Sequence, residues 1–189
     1  MRSVFAYNYI PGAFMKRTLF TLVALAVPAF SQTTIKDALV KHWKATGELT
    51  LAVAEAMPAG DYNFRPNPEE MSFGQLMAHI ALADRNACAN ASGMPALPLA
   101  DPIAAFAKDN KTEVAKEAAV AFQKQTFDFC NKAVGSVTLE QLDKIAGPPA
   151  RNLTGYEWLW SYFTHTAHHR GQAEVYLRVK NIKPPTYTF

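Results

Sequence analysis

The chain has 189 residues, is 49% hydrophobic and carries a formal charge of +3. That length suits one domain with a sizeable core and is too short for two. Arg2, Lys16 and Arg17 all precede residue 32, where there is no acid, so the remainder holds 16 basic and 16 acidic residues. With no later Lys/Arg run, nothing builds the clustered basic face that nucleic-acid binding requires.

Residues 1–31 read as a signal peptide. Lys16-Arg17 forms a short positive region, Thr18 to Val27 an apolar core, and Ala29-Phe30-Ser31 places small residues before a cleavage at Gln32. Residues 1–14 add nothing to such a signal, which makes Met15 a candidate true start. The apolar run is about ten residues against the roughly 20 that a spanning helix needs, so no stable membrane span is expected after cleavage. The expectation is an exported protein, periplasmic or secreted, comprising residues 32–189.

From Gln32 to Met57, apolar residues recur at Ile35, Leu39, Trp43, Thr46, Leu49, Val53 and Ala56, the spacing of a packed helix. His42 lies beside this seam, where a satisfied edge histidine is the preferred reading over a site residue. Pro58 to Pro68 is dense in helix breakers and must be a connection, with Tyr62 and Phe64 expected to cap one end of the core. The second helix starts at Ser72, with Gln75 three positions on as a capping box, and runs to about Asn90. Leu76, His79, Ala83 and Asn86 share one of its faces, so His79 occupies a position that packing alone would give to an apolar residue.

Ala91 to Lys111 holds Gly93, Pro95, Pro98 and Pro102 and reads as a long crossover between helices two and three, with a helical turn at Ile103 to Ala107. Such a crossover lets successive helices run parallel. The third helix is expected from Thr112 to Val134, ended by Gly135, with Val114, Ala118, Ala121, Phe122, Gln125, Phe129 and Cys130 as its buried stripe. Cys88 and Cys130 fall on different helices; two small buried apolar residues are preferred over a bridge, which sequence cannot decide. Gly147-Pro148-Pro149 interrupts residues 136–153. The fourth helix opens on a second capping box, Thr154 with Glu157, and runs to about Lys180. No strands are expected. The fold class is all-α, a four-helix bundle.

On the last helix Trp158, Tyr162, His165, His169, Gln172, Tyr176 and Val179 form one face. His165 and His169 are four apart, which stacks two imidazoles a turn apart so that both can reach one metal ion. His79, inward on a facing helix, is the candidate third ligand. Three histidines leave coordination positions open; the set suits one divalent ion, with zinc, nickel and iron all admissible. His168 and Arg170 are rotated away from the ligand face, and hydrogen bonding or packing is expected of them rather than ligation. Gly171 is expected to allow close helix approach, Gln172 to donate a hydrogen bond into the site, and Tyr162 and Tyr176 are candidate substrate contacts. A Gly-rich phosphate loop, an HExxH motif, a Gly-x-Ser-x-Gly elbow and a Cys-x-x-Cys pair are all missing from the sequence.

The run His165-Thr166-Ala167-His168-His169-Arg170-Gly171-Gln172, with His79 on helix two and the Pro184-Pro185-Thr186-Tyr187 end, resembles the DinB-like superfamily of four-helix metal-binding proteins over roughly Gln32 to Phe189. The resemblance implies that His79, His165 and His169 bind a divalent metal, that helices two and three are joined by a long crossover, and often a homodimer. Members include enzymes that activate low-molecular-weight thiols and hydrolase-like proteins. Export argues against the thiol route, because thiol cofactors belong to the reducing cytosol. A metal-dependent enzyme acting on a small molecule is therefore expected, hydrolase- or transferase-like. Its rival is a non-catalytic bundle in which the metal pins helices together or a ligand is bound without turnover.

Overall fold

The computed structural model describes residues 34–187, all within one compact unit, Thr33–Phe189. The leader and the alternative start at Met15 lie outside the described residues. Six helices occur among those described: α1 (Ile35–Ala56), α2 (Phe73–Ser92), α3 (Ile103–Asp109), α4 (Lys116–Ser136), α5 (Leu139–Asp143) and α6 (Gly155–Val179). The four long ones form the bundle. Thr34, Ser72 and Thr154 each close a capping box, with Asp37, Gln75 and Glu157 respectively, and so define where α1, α2 and α6 begin. Each such cap stabilises its helix by about 1 kcal/mol.

Contacts fix the helix directions. Gly74 of α2 lies against Val114 and Cys88 is bridged to Cys130, so α2 and α4 run parallel, as the long crossover between them requires. Tyr176 bonds the Met71 carbonyl while Thr166 bonds Asp84, which makes α6 antiparallel to α2. Arg170 reaches Thr46 and Phe163 meets His42, so α6 runs with α1. Both α1 and α2 pack on α4 and on α6, placing α1 and α2 on one diagonal of the bundle.

The core has two apolar halves. Met57, Tyr62, Phe73, Met77, Phe106 and Leu177 fill one, and Leu39, Trp43, Phe129, Trp158 and Leu159 the other. Between them lies a buried polar layer of Thr46, Thr50, Asp84, Gln123, Thr126, Thr166 and Arg170. Tyr62 seals its end as expected, its hydroxyl donating to the Ala54 carbonyl at 2.6 Å, and Phe64 packs partly buried beside it.

Several expectations need correction. Cys88 and Cys130 are not two free apolar side chains: they form a disulfide, because the parallel pairing of α2 and α4 brings their Cα atoms to 5.4 Å. Helix α4 starts four residues after Thr112, since Asp109 accepts bonds from the backbone of Lys111 and Thr112 and holds a turn there. Gly135 stays helical and extended Val137 ends the helix. Its buried stripe is rotated by about one residue, with Ala119, Gln123 and Thr126 inside and Ala121 and Gln125 outside. Two short strands do occur, β1 (Ile145–Ala146) paired antiparallel with β2 (Leu153–Thr154).

Two stability predictions follow from these close approaches. A Cβ on Gly74 would stand 1.9 Å from the Val114 carbonyl oxygen, a backbone atom that cannot swing aside. Gly74→Ala should therefore lower the free energy of unfolding by about 3 kcal/mol, measured by chemical denaturation; a loss under about 1 kcal/mol would mean that α2 and α4 separate easily. The disulfide spans 42 residues, so Cys88→Ser with Cys130→Ser should cost about 2–4 kcal/mol. Reducing agent should lower the thermal midpoint of the parent protein and leave that of the double variant unchanged.

Candidate metal centre

The second turn of α2 presents His79, and two successive turns of α6 present His165 and His169, where antiparallel α2 and α6 cross. All three are half-buried. His79 Nε2 and His165 Nε2 are 3.1 Å apart, and each of the three rings offers one nitrogen such that all lie within 4.8 Å of one another. Ring centroids are separated by 5.0 Å (His79 to His165), 4.7 Å (His79 to His169) and 4.4 Å (His165 to His169). With metal–nitrogen bonds of about 2.0–2.1 Å, neighbouring donors on one ion stand about 3 Å apart, which the His79–His165 pair matches.

Two further observations bear on the fit. His169 Nδ1 donates to Gln172 Oε1 at 2.7 Å, which sets the ring's tautomer and leaves Nε2 as a lone pair. His165 Nδ1 is buried without a hydrogen-bond partner, so no protein group fixes the tautomer of that ring. Burial, reinforced by the neighbouring histidines, pushes the His165 pKa down to about 4, and burial lowers His79 and His169 as well. All three imidazoles are thus neutral at pH 7, the form that binds metal. The donor set fits a divalent ion.

The remaining sequence candidates divide. Tyr162 joins the site: its ring lies 5.5 Å from that of His165, and Arg151 donates to its hydroxyl. Gln172 joins as the acceptor for His169 rather than as a donor into the site. His168 sits exposed with its ring 4.8 Å from His169. Arg170 makes hydrogen bonds rather than ligating, as expected, but it turns inward where the histidines were expected to lie and donates to Thr46 and Thr50 of α1. Tyr176 is remote from the histidines: its hydroxyl donates to the Met71 carbonyl and its ring packs on Phe64 and Phe73. His42 meets Phe163 in a separate groove with Tyr156 and Trp160. Gly171 faces open space, so it serves no helix approach.

The histidine face of α6 is not its deepest face. Leu159, Thr166, Arg170, Ala173 and Leu177 are buried, while Gln172 is exposed and Val179 is 53% exposed. A rotation of about one residue, 100° on a helix, sets the histidines at the flank of the core. His79 and His165 open there, with Tyr162, onto a cleft of about 830 Å³, and His169 lies behind them.

Sequence reasoning missed Asp84. It is buried and accepts from Thr166 Oγ1 at 2.6 Å, between the two histidines of α6. Burial pushes its pKa up to about 7, against the opposing pull of Thr166 and of the Arg170 charge. Arg85 and Arg151, which line the cleft, were missed too. Arg151 lies in an irregular loop, where no periodicity points to it.

A family model for the DinB superfamily matches residues 42–173, a span that contains all three histidines. The chain belongs to the DinB superfamily. Solved structures of DinB-like proteins share its fold. YjoA of Bacillus subtilis is 22% identical with a TM-score of 0.63, over 80% of this chain and 97% of that one. A DinB-like protein of Bacillus cereus is 17% identical with a TM-score of 0.67, over 82% and 99%. YfiT of Bacillus subtilis is 14% identical with a TM-score of 0.59, over 78% and 89%, and is described as a probable metal-dependent hydrolase with an unusual four-helix bundle topology. No curated protein matches the chain.

In this DinB chain the Asp84 pKa predicts a pH signature. Its folded pKa lies above the unfolded value of about 3.9, so the folded state holds the proton more tightly. That contribution to stability is complete below about pH 4 and is lost as pH rises through about 7. Asp84→Asn, which cannot ionise, should therefore gain on the parent protein between pH 4 and pH 7. Thermal midpoints measured across that range should diverge with pH, and parallel curves would show that Asp84 does not titrate there.

Proposed function

We propose that the chain is an exported, metal-dependent hydrolase acting on a small molecule, with His79, His165 and His169 holding one divalent ion. The observation that carries this reading is the gathering of three neutral imidazoles from two helices, with His79 and His165 lining a cleft instead of being sealed in the core. An ion held there would supply Lewis acidity to a substrate oxygen. The chain's own residues keep the donors aimed: Gln172 orients His169, and the Asp84–Thr166 bond holds α6 in register with α2. That bond also speaks against the histidines acting as a pin between helices, because α2 and α6 are joined independently of them. YfiT, with its printed description as a probable metal-dependent hydrolase, supports the same reaction class.

Export is supported by the Cys88–Cys130 bridge, since disulfides persist in oxidising compartments and are rare in the cytosol. Among the described residues no helix is long and apolar enough to cross a membrane.

Elemental analysis of protein purified without a polyhistidine tag tests the metal. About one zinc, nickel or iron per chain is expected, falling to trace in His165→Ala/His169→Ala and reduced in His79→Ala. Hydrolysis of a panel of small esters and amides should fall by at least about 100-fold in the double variant. Undiminished turnover in the double variant would refute the assignment. No metal in any form, even after reconstitution, would leave the histidines as buried polar packing.

A further inference from the structure

Two arginines line the cleft that His79 and His165 reach. Arg85 projects from α2, its Nε donating to the Leu97 carbonyl and its Nη1 to Asn86 Oδ1 at 2.7 Å, so the crossover holds the guanidinium in place. Arg151 comes from the loop before α6; its guanidinium lies 5.8 Å from the Trp158 ring and 5.9 Å from that of Tyr162, and it donates to the Tyr162 hydroxyl. Tyr162 in turn lies against His165. A group held by Arg151 is therefore one tyrosine ring away from the histidine cluster.

These charges are not balanced locally. Among the described residues no aspartate or glutamate lines the cleft, and neither arginine takes part in an ion pair. A cleft lined by one sign of charge concentrates ligands of the other sign. The lining holds no lysine, so its positive charge comes from guanidinium groups alone. A planar guanidinium fork matches a planar carboxylate. Leu82, Leu99, Phe106 and Leu153 supply apolar wall in the same cleft, and about 830 Å³ is room for a molecule of drug size.

We propose that this cleft selects a small organic carboxylate with an apolar body, its charge held by Arg151 and Arg85 while the body lies on the leucines and Phe106. The inference rests on the hydrolase reading for what happens to the ligand, but the arginine site binds its anion with or without a metal. The acid is a specificity handle on the substrate, and the bond to be cleaved lies beyond it, toward His79 and His165.

The probes are 2-naphthoate and its neutral counterpart 2-naphthamide, titrated calorimetrically into the parent protein, Arg151→Gln, Arg85→Gln/Arg151→Gln and His165→Ala/His169→Ala, with metal content measured on each. The naphthoate should bind the parent about tenfold more tightly than the amide, the preference that a charge-assisted hydrogen bond supplies. That ratio should fall to about one in the double arginine variant at unchanged metal content, and should survive both chelation and loss of the two histidines. Arg151→Gln alone changes an exposed residue and should already reduce the ratio severalfold, which guards against misfolding of the double variant. A ratio unaffected by either arginine change, a ratio lost only when the metal is removed, or no naphthoate binding would overturn the proposal. An arginine-dependent ratio in protein that never holds metal would leave the anion site standing and refute the metal reading instead.

Discussion

Across the middle of the bundle runs a layer of buried polar side chains, and the position of the histidines depends on it. Thr166 donates to Asp84, and Arg170 donates to Thr46 and Thr50, so α6 is tied to α2 on one side and to α1 on the other. A buried carboxylate and a buried guanidinium are costly unless paired or hydrogen-bonded, and apolar packing on either side cannot slide past them without leaving them unsatisfied. Such groups define a register more sharply than apolar contacts do. Because Thr166 and Arg170 each follow a histidine directly in sequence, satisfying them inward turns His165 and His169 to the flank.

That flank placement separates binding chemistry from packing. In the core the imidazoles would have needed protein partners; at the flank they stay neutral and half-buried, with His79 and His165 open to the cleft. The disulfide reinforces the other side of α2 by joining it to α4. Helix α2 is thus held by a covalent bond on one neighbour and by a polar contact on the other, which makes it a rigid base for His79 and Arg85.

Much of this was legible in the chain. Two capping boxes announced where α2 and α6 begin, because Ser72 and Thr154 carry side-chain oxygens that bond the backbone three residues on; the like box of Thr34 with Asp37 at the start of α1 went unread. The four-residue spacing of His165 and His169 is local helix geometry, and an imidazole at an apolar position of α2 marked His79. Other features were not legible for definite reasons. The stripe on α4 slipped because alanines occur on several faces of that helix, so periodicity does not choose among them. Asp84 offered no signal, since a carboxylate on an alanine-rich helix normally faces water and only Thr166 and Arg170 from α6 make its burial tolerable.

Sequence alone determined the elements and the chemistry available on them: four long helices, a proline-rich crossover, and three histidines able to share an ion. These follow from local rules, in which a cap, a breaker or a turn of helix acts within a few residues. Only the tertiary structure decided the rotation of α6, the pairing of Cys88 with Cys130, the burial of Asp84, the exclusion of His42 and Tyr176 from the site, and the placing of Arg85 and Arg151 along one cleft with His79 and His165. Each of these depends on which faces of distant helices come into contact, and that is set by packing and by the satisfaction of buried polar groups across the whole bundle.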